Sequence, residues 1–401
     1  MRDAVIVEAV RTPVGKGKPG GSLSGVHPTD LLAGVLESVV ERAGIDPALV
    51  DDVIVGCVTQ SGEQAANIAR RAALAAGYPE HVPATTIDRQ CGSSQQAVHF
   101  AAQGVISGAY DVAVVGGVES MSRVRMGSAA QGAEDVMGER YAARYPEGGV
   151  SQGVAAELIA ARWGLSRSQL DGYAARSHAR AAEAWRAGLF TDQVVPVKAR
   201  QADGSLALVA TDETIRPGAD PDTLAALRPA FADDAVAARF PQITDWRVTA
   251  GNSSPLNDGA AALLVMTSDK ARELGLRPRA RVHAMTVVGD DPLMMLTAVV
   301  PATAKVLRRA GLSIDDIDLF EVNEAFASVV LAWQAETGVT TDKVNVHGGG
   351  ISIGHPLGAS GARIMTTLVD ALHQRGARYG LQTMCEGGGL ANATILERLD
   401  A

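Results

Sequence analysis

The chain has 401 residues, 47% of them hydrophobic, which is enough for two or three compact units with sizeable cores. A net charge of −9 and an aromatic content of only 4% argue against a nucleic-acid partner, since neither a basic footprint nor stacking platforms are provided. The 3 cysteines have no regular or metal-ligand spacing, which fits a reducing cytoplasm, excludes a disulfide framework and predicts no metal site.

The N-terminal residues lead directly into an apolar strand, Ala4 to Val10. With no signal-peptide core and no uninterrupted apolar run of roughly 18 residues, the reading is a cytoplasmic protein without a membrane partner. The C-terminal Arg398-Leu399-Asp400-Ala401 is not a peroxisomal address. A helix with 3.6-residue apolar spacing is predicted from Thr29 to Arg42, capped by Thr29 or Asp30. Val53-Ile54-Val55 and Val112 to Val115 are near-continuous apolar runs, as strands buried on both faces should be.

Thr85 to Ile87 reads as a short β-branched strand, and a helix should start at Ser93 or Ser94, with these serines as caps. Cys91 falls at that junction. A thiol at a helix N-terminus feels the positive end of the macrodipole, which favours the nucleophilic thiolate. A buried structural cysteine fits the same local pattern.

Residues 122–250 have a different texture, with polar loops at 146–149 and 216–221. A helix from Ser166 to Ala187 should be capped by Ser166 with Gln169 at its third position. This stretch reads as a loop domain inserted between two α/β halves. The halves carry a faint internal repeat: Glu41 to Gly56 resembles Leu307 to Asn323, and Asp111 to Ser120 resembles Gly380 to Gly389. Strands alternating with helices in both halves predict helices on both faces of each sheet.

The C-terminal third holds Asn323-Glu324-Ala325-Phe326, GHPLGASG from Gly354 to Gly361, and MCEGGG from Met384 to Gly389. Cys91, His355 and Cys385 are far apart in sequence, and a nucleophile and its base normally meet in space and not in sequence. Together with Arg11-Thr12-Pro13, GGVESMS at Gly116 to Ser122 and AGNSSPLNDGAAA at Ala250 to Ala262, these motifs resemble the thiolase family over essentially the whole chain.

The resemblance implies a duplicated α/β fold, two βαβαβ-type halves packed as five layers (α-β-α-β-α) with an inserted loop domain. The halves would be 1–121, with a last strand returning near 251–270, and 271–401, flanking the loop domain at 122–250. It implies CoA-dependent cleavage of a 3-ketoacyl-CoA to acetyl-CoA and a shortened acyl-CoA, through an acyl-cysteine. In that reading Cys91 is the acyl-accepting nucleophile, His355 its base, and Cys385 the acid/base at the acetyl α-carbon. The Cys91 and Gly387 amides form one oxyanion hole; His355 and a water held by Asn323 form the second. Phe231, Ala250, Ser254 and Phe326 contact CoA, which is a substrate, so no separate cofactor is implied. A homo-oligomer, dimer or tetramer, is implied as well.

The chain departs from the family pattern in places. Acetoacetyl-CoA-specific members carry His-Met where this chain has Ser151-Gln152 before Gly153. Glu386 replaces a common apolar residue and His347 a usual Asn. Placed near the acyl pocket, these changes would favour a degradative enzyme for longer or bulkier chains, of fatty-acid or steroid side-chain type. Residues 232–247 are longer than the turn usual there. The alternatives are an acetoacetyl-CoA-specific acetyltransferase and a non-catalytic acyl-CoA-binding relative, which should lose a cysteine or the GHP histidine. A Cys-His-His condensing enzyme is disfavoured by Asn323 and Cys385. Gly350 to Gly354 matches a serine-hydrolase elbow, and Gly15 to Gly20 a dinucleotide fingerprint, but neither has the sequence context its chemistry needs.

Overall fold

The computed structural model describes residues 2–146, 148–201 and 203–400; Glu147, in the predicted 146–149 loop, lies outside them, as do positions 1, 202 and 401. The first part of the chain runs β1 (Val5–Arg11), β2 (Gly15–Lys16), α1 (Pro28–Ala43), β3 (Asp52–Gly56), α2 (Ile68–Ala75), β4 (Ala84–Ile87), α3 (Ser93–Ser107) and β5 (Val112–Ser120). An intervening segment holds α4 (Glu139–Arg144), α5 (Gln152–Arg162), α6 (Arg167–Arg186), β6 (Val197–Arg200), β7 (Leu206–Val209), α7 (Pro221–Ala225) and α8 (Asp234–Arg239). The rest runs β8 (Asn257–Met266), α9 (Ser268–Glu273), β9 (Ala280–Gly289), α10 (Val299–Ala310), β10 (Leu319–Val322), α11 (Ala327–Thr337), α12 (Ser360–Gln374), β11 (Tyr379–Glu386) and β12 (Leu390–Arg398).

The large sheet has the order β10-β11-β12-β9-β1-β8-β5-β3-β4. It is two copies of one pattern. In β1-β8-β5-β3-β4 the first two pairings are antiparallel and the last two parallel. In β9-β12-β11-β10 the same sequence of pairings recurs, and Val344 adds a parallel bridge beside Phe320 where the copy of β4 would lie. The repeat read from Glu41–Gly56 and Leu307–Asn323 thus has its counterpart in β3 and β10. Short β1–β9 pairing at Val5 and Ile6 joins the copies edge to edge, so the two sheets are continuous.

Alternation along the central strands explains their unbroken apolar runs. Val112 and Val114 of β5 pack into a core with Leu31, Leu32, Val35 and Leu36 of α1, while Ala113 and Val115 face the opposite core. That second core holds α3 and α12 together with strand residues from both copies, such as Leu263 and Leu396. A third core seats α10 and α11 on the outer face of the C-terminal copy. The result is the α-β-α-β-α stack. Each fully buried leucine or valine contributes about 1.5–3 kcal/mol relative to exposure.

Local differences have local causes. The α1 cap is His27, whose ring accepts from the Thr29 amide, because Pro28 takes the first helical position, where its missing N–H is harmless; neither Thr29 nor Asp30 caps it. At α6 the predicted capping box is present, Ser166 and Gln169 bonding reciprocally.

The intervening segment is bolted to the first strand. The Arg11 guanidinium grips Asp212 through two hydrogen bonds of 2.8 and 3.0 Å, both groups being fully buried. Gln193 and Trp185 complete the cluster, and Phe190 lies under the guanidinium at 5.0 Å. The long 232–247 stretch forms α8 and sends Phe240 and Ile243 into the C-terminal core. No helix among the described residues is long and apolar enough to cross a membrane.

Candidate active site

Cys91 lies in the turn between β4 and α3. Gln90 has φ +48°, an unusual left-handed conformation for a residue with a side chain, and Gly92 occupies the cap position of α3. Neither serine caps the helix as predicted. Ser93 Oγ instead donates to the Gln90 carbonyl (2.6 Å) and accepts from the Arg89 amide (2.9 Å), bracing the turn. Ser94 Oγ accepts from the Ala362 amide of α12 (2.9 Å), tying the two central helices together.

The helix terminus is not the dominant influence on Cys91. Burial, reinforced by Cys385 and Glu386, pushes the Cys91 thiol well up, and the Gln152 side chain and the Cys91 amide only ease this. Desolvation outweighs the helix terminus, so the free thiol stays protonated until a base acts.

That base is set by its neighbours. Gly354 is followed by His355, whose amide donates to Asn257 Oδ1 (2.8 Å), while Asn257 Nδ2 donates to the Gly15 carbonyl. Ser360 Oγ lies 2.5 Å from His355 Nδ1 and itself donates to the Pro356 carbonyl (2.9 Å). A hydroxyl with its one proton committed can only accept from Nδ1, so the ring carries its proton there and presents a lone pair at Nε2. Burial, aided by Arg363, lowers the His355 pKa to about 3, which keeps the ring neutral at rest.

Asn323, at the end of β10, joins the pieces. Its Nδ2 lies 3.4 Å from His355 Nε2 and 3.6 Å from Cys385 Sγ, and its Oδ1 is buried without a protein partner. Cys385, at the end of β11, is pushed up to about 12 by burial, with the Asn323 hydrogen bond opposing. Gly387 comes two residues later, just past β11. A side-chain carbon there would lie 3.2 Å from both Gln152 Nε2 and Gln90 Oε1, so its backbone stands against the Cys91 turn.

Glu324 next door is structural. Its carboxylate accepts from Tyr173, Ser177, Asn345 and the Ile351 amide, fixing α6 to the glycine-rich loop before His355. Glu119 plays a similar part for the other loops: it accepts from the Val58, Thr59 and Gly358 amides and from Gln64.

The comparisons with known proteins agree with this geometry. The thiolase N-terminal domain model matches residues 4–269 and the thiolase C-terminal domain model residues 276–398. The chain belongs to the thiolase family. Its relatives include a steroid 3-ketoacyl-CoA thiolase, FadA6, of Mycobacterium tuberculosis, 45% identical over 100% of this chain and 95% of that protein. A 3-ketoacyl-CoA thiolase of Erwinia tasmaniensis is 46% identical over the full length of both. Among solved structures, the acetyl-CoA acetyltransferase of Bacillus anthracis superposes with a TM-score of 0.88 at 39% identity, covering 100% of this chain and 99% of that one.

Within this thiolase fold a cavity of about 440 Å³ leads to His355. Phe231, Ser254 and Phe326 line it, with the two phenyl rings edge to face at 6.0 Å, and so do Gln152 and Met121. Ala250 is exposed and is not among the lining residues. Two of the departures thought to shape the acyl pocket lie elsewhere. His347 packs edge-on to Phe190, and Glu386 points behind Cys91 toward Gly92, because β-strand alternation turns it away from the face that Cys385 occupies. Gln152 alone of the three reaches the cavity and the nucleophile. Ser360, Glu119 and Asn257 were missed as site-building residues. The only signal for Ser360 was its spacing of five residues from His355 within GHPLGASG.

Proposed function

We propose that the chain is a degradative thiolase, an acetyl-CoA C-acyltransferase that cleaves 3-ketoacyl-CoA with free CoA. The observation that carries this reading is a neutral imidazole lining the cavity, with Asn323 between it and the buried Cys385 thiol, and Cys91 close enough to feel Cys385 and the cavity residue Gln152. His355 Nε2 takes the Cys91 proton, and the thiolate attacks the 3-keto carbon. The bond between C2 and C3 breaks, its electron pair leaving as the acetyl-CoA enolate, which takes a proton from Cys385. The acyl group remains on Cys91. The Cys385 thiolate then takes the proton of an incoming CoA thiol, whose sulfur attacks the acyl carbon, and His355 returns its proton to Cys91.

Negative charge develops at two oxygens. The Cys91 and Gly387 amides would hold the one on the acyl carbon, each donor being worth about 100- to 1000-fold in rate. His355 Nε2–H and a water on Asn323 would hold the enolate oxygen. Phe231, Ser254 and Phe326 would flank the pantetheine arm, with Ala250 at most peripheral. Identity of 45% and 46% over 100% of the chain to 3-ketoacyl-CoA thiolases, and Ser151-Gln152 where acetoacetyl-CoA-specific members carry His-Met, favour fatty-acyl or steroid side-chain substrates.

We further infer a cytoplasmic homo-oligomer, dimer or tetramer. In support, β4 is an open sheet edge, and Phe100 and Ile106 of the adjoining α3 are each 40% exposed. Sedimentation analysis tests it, and a monomer at micromolar concentration would remove it.

The decisive experiment is thiolysis of a 3-ketoacyl-CoA panel from acetoacetyl to long-chain and sterol-derived, with Cys91→Ala alongside. Activity rising with acyl size and lost in the variant is expected, by at least roughly 1000-fold. Activity confined to acetoacetyl-CoA would overturn the degradative reading.

A further inference from the structure

Glu386 is a buried carboxyl group that the reaction just described does not use. It follows Cys385 directly and is completely inaccessible, yet neither of its oxygens has a hydrogen-bond partner. A side-chain carbon on Gly92 would collide with both Glu386 Oε1 and Asn392 Oδ1, so these oxygens converge on the backbone of the residue after Cys91. Asn392 Oδ1 is also unpartnered.

The orientation of that amide is fixed from its other side. Asn392 Nδ2 points to Gln96 Oε1 (3.2 Å) and His99 Nδ1 (3.3 Å). With the His99 proton on Nε2, toward Thr394 Oγ1 at 2.7 Å, Nδ1 is an acceptor like Gln96 Oε1, and turning the amide over would set its oxygen against both. Two acceptors therefore face one another beside Gly92, an arrangement that is costly unless one carries a proton. An amide oxygen cannot; a carboxyl group can.

We propose that Glu386 is a positioning residue held as a neutral acid, donating a hydrogen bond to Asn392 Oδ1, and that this shared proton keeps negative charge away from Cys91 while it ionises. The proposal rests on Cys91 being the reactive thiol. Burial, eased by Arg89 and by the approaching Asn392 backbone N–H, lifts the Glu386 pKa to about 9, in keeping with the geometry. The titratable and charged groups around it are Cys91, Asp88 and Arg89 on the β4–α3 turn, His99 on α3 and Cys385 on β11. Of these, Arg89 favours the carboxylate, Asp88 opposes it, and buried His99 is neutral.

The consequence is an internal brake at alkaline pH. Once Glu386 loses its proton, Cys91 must ionise next to an anion. The test is the pH dependence of Cys91 alkylation by iodoacetamide in the intact enzyme, followed by mass spectrometry of the Cys91 peptide. It needs no substrate turnover, so it is separable from the thiolysis reading. In Glu386→Gln, whose amide can still donate to Asn392, the rate should rise about tenfold per pH unit from pH 7 to 10. The wild-type rate should flatten above about pH 9 and lag the variant about tenfold at pH 10.

Asn392→Ala removes the acceptor of the shared proton and should move the flattening to lower pH. Arg89→Gln should move it higher. Superimposable profiles for wild type and Glu386→Gln would overturn the proposal, as would a flattening unmoved in Asn392→Ala. A wild-type profile that climbs without flattening to pH 10 would overturn it even if no variant folds.

Discussion

Two buried glutamates stand near the carboxyl ends of corresponding strands in the two halves, and their surroundings are opposite. Glu119 on β5 is met by four N–H donors, from Val58, Thr59, Gln64 and Gly358. Glu386 on β11 is met by none. The same divergence runs through the whole pair of halves. Helices α3 and α12 occupy matching places in the central layer, and each begins with a serine that bonds back into the turn before it. Ser93 braces the backbone under Cys91, whereas Ser360 holds the ring of His355. Duplication supplies two equivalent strand ends and two helix starts. In the proposed reaction the N-terminal copy contributes the nucleophile, while its strand end serves as scaffold. In the same proposal the C-terminal copy devotes its strand ends, with Asn323 and Cys385, to proton handling.

If Glu119 is scaffold, removing its charge should hurt most. Glu119→Gln would turn an amide NH₂ toward backbone donors and leave some of them buried and unpaired. A destabilisation of about 3 kcal/mol is expected, read from urea unfolding. Because Gly358 belongs to the turn that carries His355, kcat for thiolysis should fall with it. A loss below about 1 kcal/mol would show that the loops hold their shape without this carboxylate.

This contrast also marks where the sequence could be read and where it could not. Strand runs such as Val112 to Val115, the α6 capping box and the duplicated pattern are local or periodic, and periodicity survives without coordinates. Cys91, His355, Cys385 and Asn323 were legible because each sits in a glycine-rich or turn motif with no better structural explanation. The protonation state of Cys91 was not. It depends on how completely α12, β11 and Gln152 exclude water, which no local pattern records. The direction of Glu386 was misjudged for a related reason, since one residue's step along β11 decides whether a side chain faces the acyl cavity or the central layer. Pro28 displaced the predicted α1 cap by one simple steric preference.

Ser360→Ala separates orientation from scaffold in the C-terminal copy. Without its acceptor, the His355 ring can place its proton on Nε2, where it cannot act as a base. A fall in kcat of roughly 10- to 100-fold is expected, a part of the 10²–10⁴ that general-base catalysis contributes. KM and the unfolding midpoint should change little, and Ser360→Thr should restore most of the rate. Equal losses in kcat and stability would assign Ser360 to structure alone. The matching Ser93→Ala should instead lower stability, because it touches only backbone.

The last comparison bears on the orphaned glutamate, and here the sign is informative. Glu386 has a pKa near 9 in the folded protein and an ordinary value near 4.5 once unfolded. Between those values the folded state binds the extra proton, so folding becomes less favourable as pH rises through that window and levels off above about 9. Glu119 sits in a similarly buried place, but its four donors oppose the same rise. Glu386→Gln removes the proton linkage while retaining a donor for Asn392. It should therefore be near neutral at pH 5 and increasingly stabilising as pH rises toward 9, with no further gain above that. Thermal unfolding at several pH values measures this directly. A variant less stable than wild type at every pH would mean that the carboxyl group makes a favourable contact as an anion, and the two strand-end glutamates would then be more alike than their surroundings indicate.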